Sequence, residues 1–175
     1  LTRFEASAVL SSFVPLFTLS RVTWSPINSE LLVEKGGKIN IVESGEQKIL
    51  LSLPGYAATW SPDARKIAYA GYIGDGPRNG IAIIDRNSLI INWLYIQPVS
   101  GNVNEYLCPL CCYYDTGATC SMSWSPDGNY LVFSAVYIGM YTRYLFRLDI
   151  NSGEITVLAG FPPLWNYIDD VSWGP

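Results

Sequence analysis

The 175 residues include no histidine. Within this chain that excludes Ser-His-Asp and Cys-His catalysis, the HExxH metalloprotease site and every zinc site with an imidazole ligand. Charge is scarce as well. Charged residues make up 15 %, where about 25 % is usual, and the net charge is −4. No Lys or Arg occurs between Arg86 and Arg143, so no phosphate-facing basic stripe can be drawn and no nucleic-acid partner is expected. Long apolar runs are also missing. The least charged early stretch, 6–20, holds four serines, a threonine and Pro15, and is shorter than the ~20 apolar residues of a membrane span. It reads as a pair of buried strands rather than the remnant of a signal segment. No second candidate span exists, so no transmembrane segment is expected. What the chain does have is apolar substance, 49 % of its residues, which excludes general disorder and gives one ordinary domain a core of its own.

A tripeptide recurs through that apolar background: Trp24-Ser25-Pro26, Trp60-Ser61-Pro62 and Trp124-Ser125-Pro126, followed by Trp173-Gly174-Pro175 at the end. The Trp-to-Trp spacings are 36, 64 and 49 residues, the range of propellers and solenoids. The segment after each Trp repeats too. Pro62-Asp63-Ala64 and Pro126-Asp127-Gly128 are turn sequences, Pro fixing φ and Asp or Gly completing the turn. Apolar strands are predicted next, at 31–33, 66–70 and 130–134. Second strands come after them at 39–43, 81–85 and 145–149, each ending on an acidic residue, Glu43, Asp85 or Asp149. A polar turn then leads to strands at 47–53, 90–96 and 154–158. No helical periodicity runs longer than a turn or two.

Several of these strands are apolar on both faces, with Ile67 and Tyr69 on one and Ala68 and Ala70 on the other. An isolated antiparallel sheet would keep one polar face. Sheets stacked face to face around an axis would not, so the pattern predicts an all-β fold: a β-propeller of four-stranded antiparallel blades.

Trp-Ser-Pro-Asp-Gly, a strand, a second strand ending in Asp, then Asn-Ser-Gly-Glu resembles the TolB-like β-propeller repeat, a relative of the WD repeat. The resemblance runs from Arg21 to Pro175. It is strongest over 124–158 and weaker in the first unit, where Ile27-Asn28 replaces the Asp-Gly turn. It implies that Trp24, Trp60, Trp124 and Trp173 are structural repeat residues, the first three closing blade-to-blade contacts, and that Asp63 and Asp127 shape tight turns. The expected units are 1–20 as the end of a preceding blade or an N-terminal extension, blades at about 21–56, 57–120 and 121–170, and the start of another at 171–175. Phe17-Thr18-Leu19-Ser20 reads as the last strand of such a preceding unit. Three blades are too few for a ring, which takes about 4–8. The polypeptide is therefore expected to continue past Pro175, the alternative being a second chain that supplies the missing blades.

Strands alternate in direction, so the loops divide between two ends. The long insertions all fall at one end: 71–80 and 136–143 between second and third strands, and 98–120 and 160–170 between blades. Loops carry function while the scaffold holds them. A protein-binding face is expected there, with Tyr72, Asp75, Arg78, Tyr113, Tyr114, Tyr141, Arg143 and Trp165 as its candidates, because Tyr, Trp and Arg dominate binding hot spots.

All four cysteines, Cys108, Cys111, Cys112 and Cys120, lie in one loop. Two disulfides would suit an oxidising compartment. A four-thiolate metal site is disfavoured because Cys112 and Cys120 do not repeat the CxxC spacing of Cys108 and Cys111, and a redox CxxC lacks its βαβ context. No cofactor and no metal are expected. Asp169-Asp170 reads as solvated strand-entry acids, and Asp75 lacks the spaced oxygen ligands of a calcium site.

No catalytic constellation appears, neither a Gly-x-Ser-x-Gly elbow nor a P-loop, so this segment is not expected to be an enzyme. Its expected role is a non-catalytic, extracytoplasmic scaffold (periplasmic or cell-surface) that binds other proteins, the function the resemblance implies. Two alternatives stand beside it. One is the propeller domain of a larger serine peptidase of the prolyl-oligopeptidase type, with its triad outside this chain. The other is a structural subunit of a large multi-subunit assembly.

Overall fold

The structure, a computed structural model, describes residues 21–46, 48–72, 79–96, 107–108, 121–137, 143–161 and 171–173. These residues form twelve strands and no helix: β1 (Arg21–Trp24), β2 (Glu30–Lys35), β3 (Lys38–Glu43), β4 (Lys48–Trp60), β5 (Lys66–Tyr72), β6 (Asn79–Asp85), β7 (Ile91–Ile96), β8 (Leu107–Cys108), β9 (Met122–Trp124), β10 (Tyr130–Tyr137), β11 (Arg143–Asp149) and β12 (Ile155–Phe161). Every pairing is antiparallel.

The strands sort into three four-stranded blades. Blade 1 is β1-β2-β3 and residues 48–54 of β4; blade 2 is residues 55–60 of β4 with β5, β6 and β7. Blade 3 is β9-β10-β11-β12, and β8 adds to the same edge of β10 as β9. One detail departs from the pattern the sequence predicts. The interval 98–120 is not loop throughout, since Leu107 and Cys108 pair with Tyr137 and Val136. Val171, Ser172 and Trp173, where a further blade is expected to start, lie in no ladder among the described residues.

Cross-strand partners share a face, which makes the repeat visible in three dimensions. Trp60, Ile67, Ile84 and Ile91 form one row across blade 2, with Tyr69, Ala82 and Trp93 in the next. This near face packs on Leu32, Ile39 and Ile41 of blade 1. The opposite face, Ala57, Ala68, Ala70, Ile81 and Ile83, packs on Trp124, Leu131, Phe133, Phe146 and Leu148, the near face of blade 3. Alternate residues of the middle strands therefore enter two separate cores, and both faces must be apolar.

The Ser-Pro-Asp turns fold for a local reason. The Ser61 hydroxyl donates to Asp63 Oδ1 at 2.7 Å, and the same oxygen receives the Arg65 amide at 3.0 Å. The Lys66 amide donates to Ser61 Oγ at 2.9 Å. Blade 3 repeats the set with Ser125, Asp127, Asn129 and Tyr130 at 2.5, 3.0 and 2.9 Å. Gly128 there has φ +71°, and Ala64 takes the matching position at φ +53°. In blade 1 the Ser25 hydroxyl donates to Asn28 Oδ1 instead. The same arrangement closes the other turns of this end: Asp85 Oδ1 receives the Asn87 and Ser88 amides, and Asp149 Oδ1 those of Asn151 and Ser152.

Candidate functional site

The two ends of the blades are chemically different. At the short-turn end four aspartates are engaged within their own turns. Asp63, Asp85, Asp127 and Asp149 all have pKa values lowered from the ordinary range. The main causes are the Ser61 hydroxyl, the Ser88 amide, the Ser125 hydroxyl and the Ser152 amide respectively. These oxygens hold turns and are committed before any ligand arrives.

At the opposite end the strands stop where the long insertions begin. Tyr72 pairs with Asn79 at the mouth of the β5–β6 connection. Arg143 pairs with Val136 at the mouth of the β10–β11 connection, and Cys108 pairs with the same Val136 from its other side. The fold thus brings the backbones of Arg143 and Cys108 to one end of blade 3, from positions 35 residues apart. Tyr72, Arg143 and Cys108 are placed by their backbones only. Asp75, Arg78, Tyr113, Tyr114, Tyr141, Trp165, Cys111, Cys112 and Cys120 lie outside the described residues.

The stem that carries this end is closely packed. Phe133 and Phe146 stack at 5.4 Å between ring centroids, and Tyr144 leans on Phe146 at 5.9 Å. In blade 2, Tyr69 and Trp93 meet at 6.0 Å, and burial pushes the Tyr69 phenol up to about 12. Gly80 keeps β6 and β7 in register where an added Cβ would fall 2.1 Å from the Tyr95 carbonyl oxygen.

The repeat tryptophans differ among themselves. Trp60 and Trp124 are each 6 % exposed. Trp124 Nε1 donates to the Thr59 carbonyl at 3.2 Å, and Trp173 Nε1 to the Ser123 carbonyl at 3.3 Å. In both cases the acceptor is the residue before the previous blade's Trp. Trp60 Nε1 is buried without a partner among the described residues, and Trp24 is 56 % exposed.

Two inter-blade contacts were not anticipated from the sequence. Glu34, 6 % exposed, accepts the Ala57 amide at 3.0 Å and the Ala58 amide at 2.7 Å. These amides sit in a bulge of β4, between the register pairs of Tyr56 and Thr59, with Ala57 at φ +55°. Burial raises the Glu34 pKa despite the two amides and Arg21. Glu30 receives Nε and a terminal nitrogen of Arg86, joining blade 1 to the β6–β7 turn. The signal was present in β2, where Glu30 and Glu34 alternate in phase with buried Leu32. A period of two with acids on the buried side marks carboxylates that need partners.

Among the described residues no group of His, Cys, Asp and Glu could hold a metal ion, and no helix is long and apolar enough to cross a membrane. No family model matches the chain, and no curated protein matches it. Solved structures do. A protein described as TolB from Agrobacterium tumefaciens is similar with TM-score 0.53 and 20 % identity, over 82 % of this chain and 46 % of its own. The acylaminoacyl peptidase of Pyrococcus horikoshii has TM-score 0.53 and 13 % identity, over 83 % and 25 %. The propeller domain of the Trilobed protease from Pyrococcus furiosus has TM-score 0.50 and 15 % identity, over 85 % and 44 %. The chain spans less than half the length of each. Repeat, blade geometry and these likenesses converge on one conclusion: the described residues are three blades of a β-propeller of the kind shared by TolB-like proteins and peptidase propeller domains.

Proposed function

We propose that this chain is a non-catalytic propeller scaffold that binds protein partners through the end where its long insertions emerge. One observation carries the reading: the Asp and Ser groups of the short-turn end are consumed by their own turns, whereas Tyr72, Arg143 and Cys108 stand at the mouths of the long connections. A closely packed stem with committed polar groups at one end and long, aromatic-rich insertions at the other suits recognition better than catalysis. The binding set is Tyr72, Asp75, Arg78, Tyr113, Tyr114, Tyr141, Arg143 and Trp165. Two disulfides among Cys108, Cys111, Cys112 and Cys120 would brace it in an oxidising, extracytoplasmic compartment. A thiol count on protein denatured without reductant tests the brace, and four free thiols would eliminate it.

The binding face is tested by replacing Arg78 and Arg143 together with Glu and measuring partner capture by pull-down. Loss of the captured protein with an unchanged circular dichroism spectrum is the expected result; unchanged capture would count against this face. A second reading, the propeller domain of a larger serine peptidase, is favoured by the likeness to the Pyrococcus horikoshii enzyme. A Gly-x-Ser-x-Gly encoded beyond Pro175, with later Asp and His, would select it. Further blades and a stop codon would select the scaffold or a subunit of a larger assembly, which sedimentation of the intact protein separates.

A further inference from the structure

The tripeptide Ile-Asn-Ser occurs twice, at 27–29 and at 150–152, and Asn-Ser a third time at 87–88. Asn28, Asn87 and Asn151 are all exposed, but the serine amides that follow them differ. Asp85 Oδ1 holds the Ser88 amide and Asp149 Oδ1 the Ser152 amide, each at 2.9 Å. The Ser29 amide has no acceptor among the described residues. The repeat explains why. Ser29 stands where blades 2 and 3 have Arg65 and Asn129, whose amides Asp63 and Asp127 hold at 3.0 Å. Blade 1 has Ile27 in place of that aspartate, and an alkyl side chain accepts no hydrogen bond.

We propose that Asn28 is a site of spontaneous deamidation, brought about by attack of the Ser29 backbone nitrogen on its side-chain amide. The nitrogen bonds Cγ of Asn28, the Cγ–Nδ2 bond breaks, and Nδ2 leaves as ammonia with the proton that the Ser29 amide gives up. Water then opens the cyclic imide: addition at Cγ leaves aspartate, and addition at the main-chain carbonyl leaves a β-linked aspartate. An amide that donates to a carboxylate must give up that bond before it attacks, and Ser29 has none to lose among the described residues. The Ser25 hydroxyl donates to Asn28 Oδ1, which polarises the carbonyl under attack and stabilises the oxygen that gains charge. Asn79-Gly80, where the attacking amide is least hindered, is instead held in the sheet. Gly80 pairs with Gly71 on one side and Ile96 on the other, and an extended strand does not bend into the imide ring. The aspartate product keeps an acceptor for Ser25, as Asp63 and Asp127 do for Ser61 and Ser125. The β-linked product lengthens the main chain just before Glu30, which receives Arg86 across the blade boundary.

The test holds the full chain at mildly alkaline pH and follows the three Asn-Ser sites by peptide mapping. In the folded chain Asn28 converts several-fold faster than Asn87 and Asn151, and in concentrated urea the three rates draw together. Asn151 is the sequence control, because it shares the tripeptide. Ile27→Asp restores an acceptor for the Ser29 amide and brings Asn28 down to the rate of Asn151. Equal rates in the folded, unsubstituted chain overturn the proposal, and this comparison decides even if the variant fails to fold. A lead of Asn28 that is as large in urea as in the folded chain assigns the reaction to the local sequence and overturns it too. Undiminished conversion in a folded Ile27→Asp chain excludes the uncommitted Ser29 amide as the cause.

Discussion

At the scale of single residues, identical tripeptides take different energetic roles because their neighbours differ. Trp60 and Trp124 are equally buried, yet among the described residues only Trp124 has an acceptor, the Thr59 carbonyl. Trp124→Phe is therefore expected to cost about 1 kcal/mol more than Trp60→Phe, the net worth of one buried hydrogen bond. Urea denaturation of the two variants measures the difference directly. Replacing either Trp by Ala should cost roughly 3–5 kcal/mol, because blade packing cannot close over so large a gap. Glu34 tests the complementary case. Glu34→Ala leaves the Ala57 and Ala58 amides buried and unpaired, at about 1–3 kcal/mol for each orphaned donor. Glu34→Gln keeps one acceptor oxygen and should lose less. If the two variants unfold at the same urea concentration, the bulge is not held by this side chain.

Elements owe their ends to the turn aspartates, and there the protonation state matters. The folded pKa values of Asp63, Asp85, Asp127 and Asp149 lie below their unfolded ones. Their contribution to stability is thus present above the unfolded value of about 4 and is lost as pH falls through the depressed values. Glu34 has the opposite sign. Its folded pKa is raised, so its contribution is complete below its unfolded pKa and fades as pH rises through the folded one. Four groups against one predict a lower urea midpoint on acidification below pH ~4. Asp127→Asn retains Oδ1 as acceptor but cannot titrate, and should make that decline shallower. Asn28, which accepts the Ser25 hydroxyl in blade 1, shows that an amide can serve in such a turn. An acid limb as steep in Asp127→Asn as in the parent would remove Asp127 from the account.

For the whole molecule the question is how the blades hold one another. Between blades 1 and 2 the apolar contact is supplemented by the Glu30–Arg86 pair, whose side chains are only 12 % and 20 % exposed. The corresponding position in blade 3 is Ile150, whose amide bonds the Asn129 carbonyl as the Arg86 amide bonds that of Arg65. No such pair can form there. Arg86→Ala should therefore loosen blade 1 selectively, with faster amide exchange in β2 and β3 and unchanged protection in β10 and β11. Uniform acceleration across all three blades would mean that they open as one cooperative unit.

Much of this fold could be read in one dimension. Turn residues act within a few positions of themselves, so Ser61-Pro62-Asp63 and Ser125-Pro126-Asp127 declare their hairpins without reference to the rest of the chain. Two-faced apolar strands such as Ile67 to Ala70 declare that each sheet is covered on both sides. Contacts between residues distant in sequence are not declared. The grip of Glu34 on the bulge at Ala57 and Ala58, the pairing of Glu30 with Arg86, and the meeting of Cys108 with Arg143 across Val136 depend on how sheets stack and where strands end. Trp24 and Trp60 begin the same Trp-Ser-Pro, and the residues alone cannot tell that one is buried and the other more than half exposed. The sequence determined the blade, because backbone turns and alternation are local; only tertiary structure decided which face of each blade is occupied, because burial belongs to the neighbour and not to the strand.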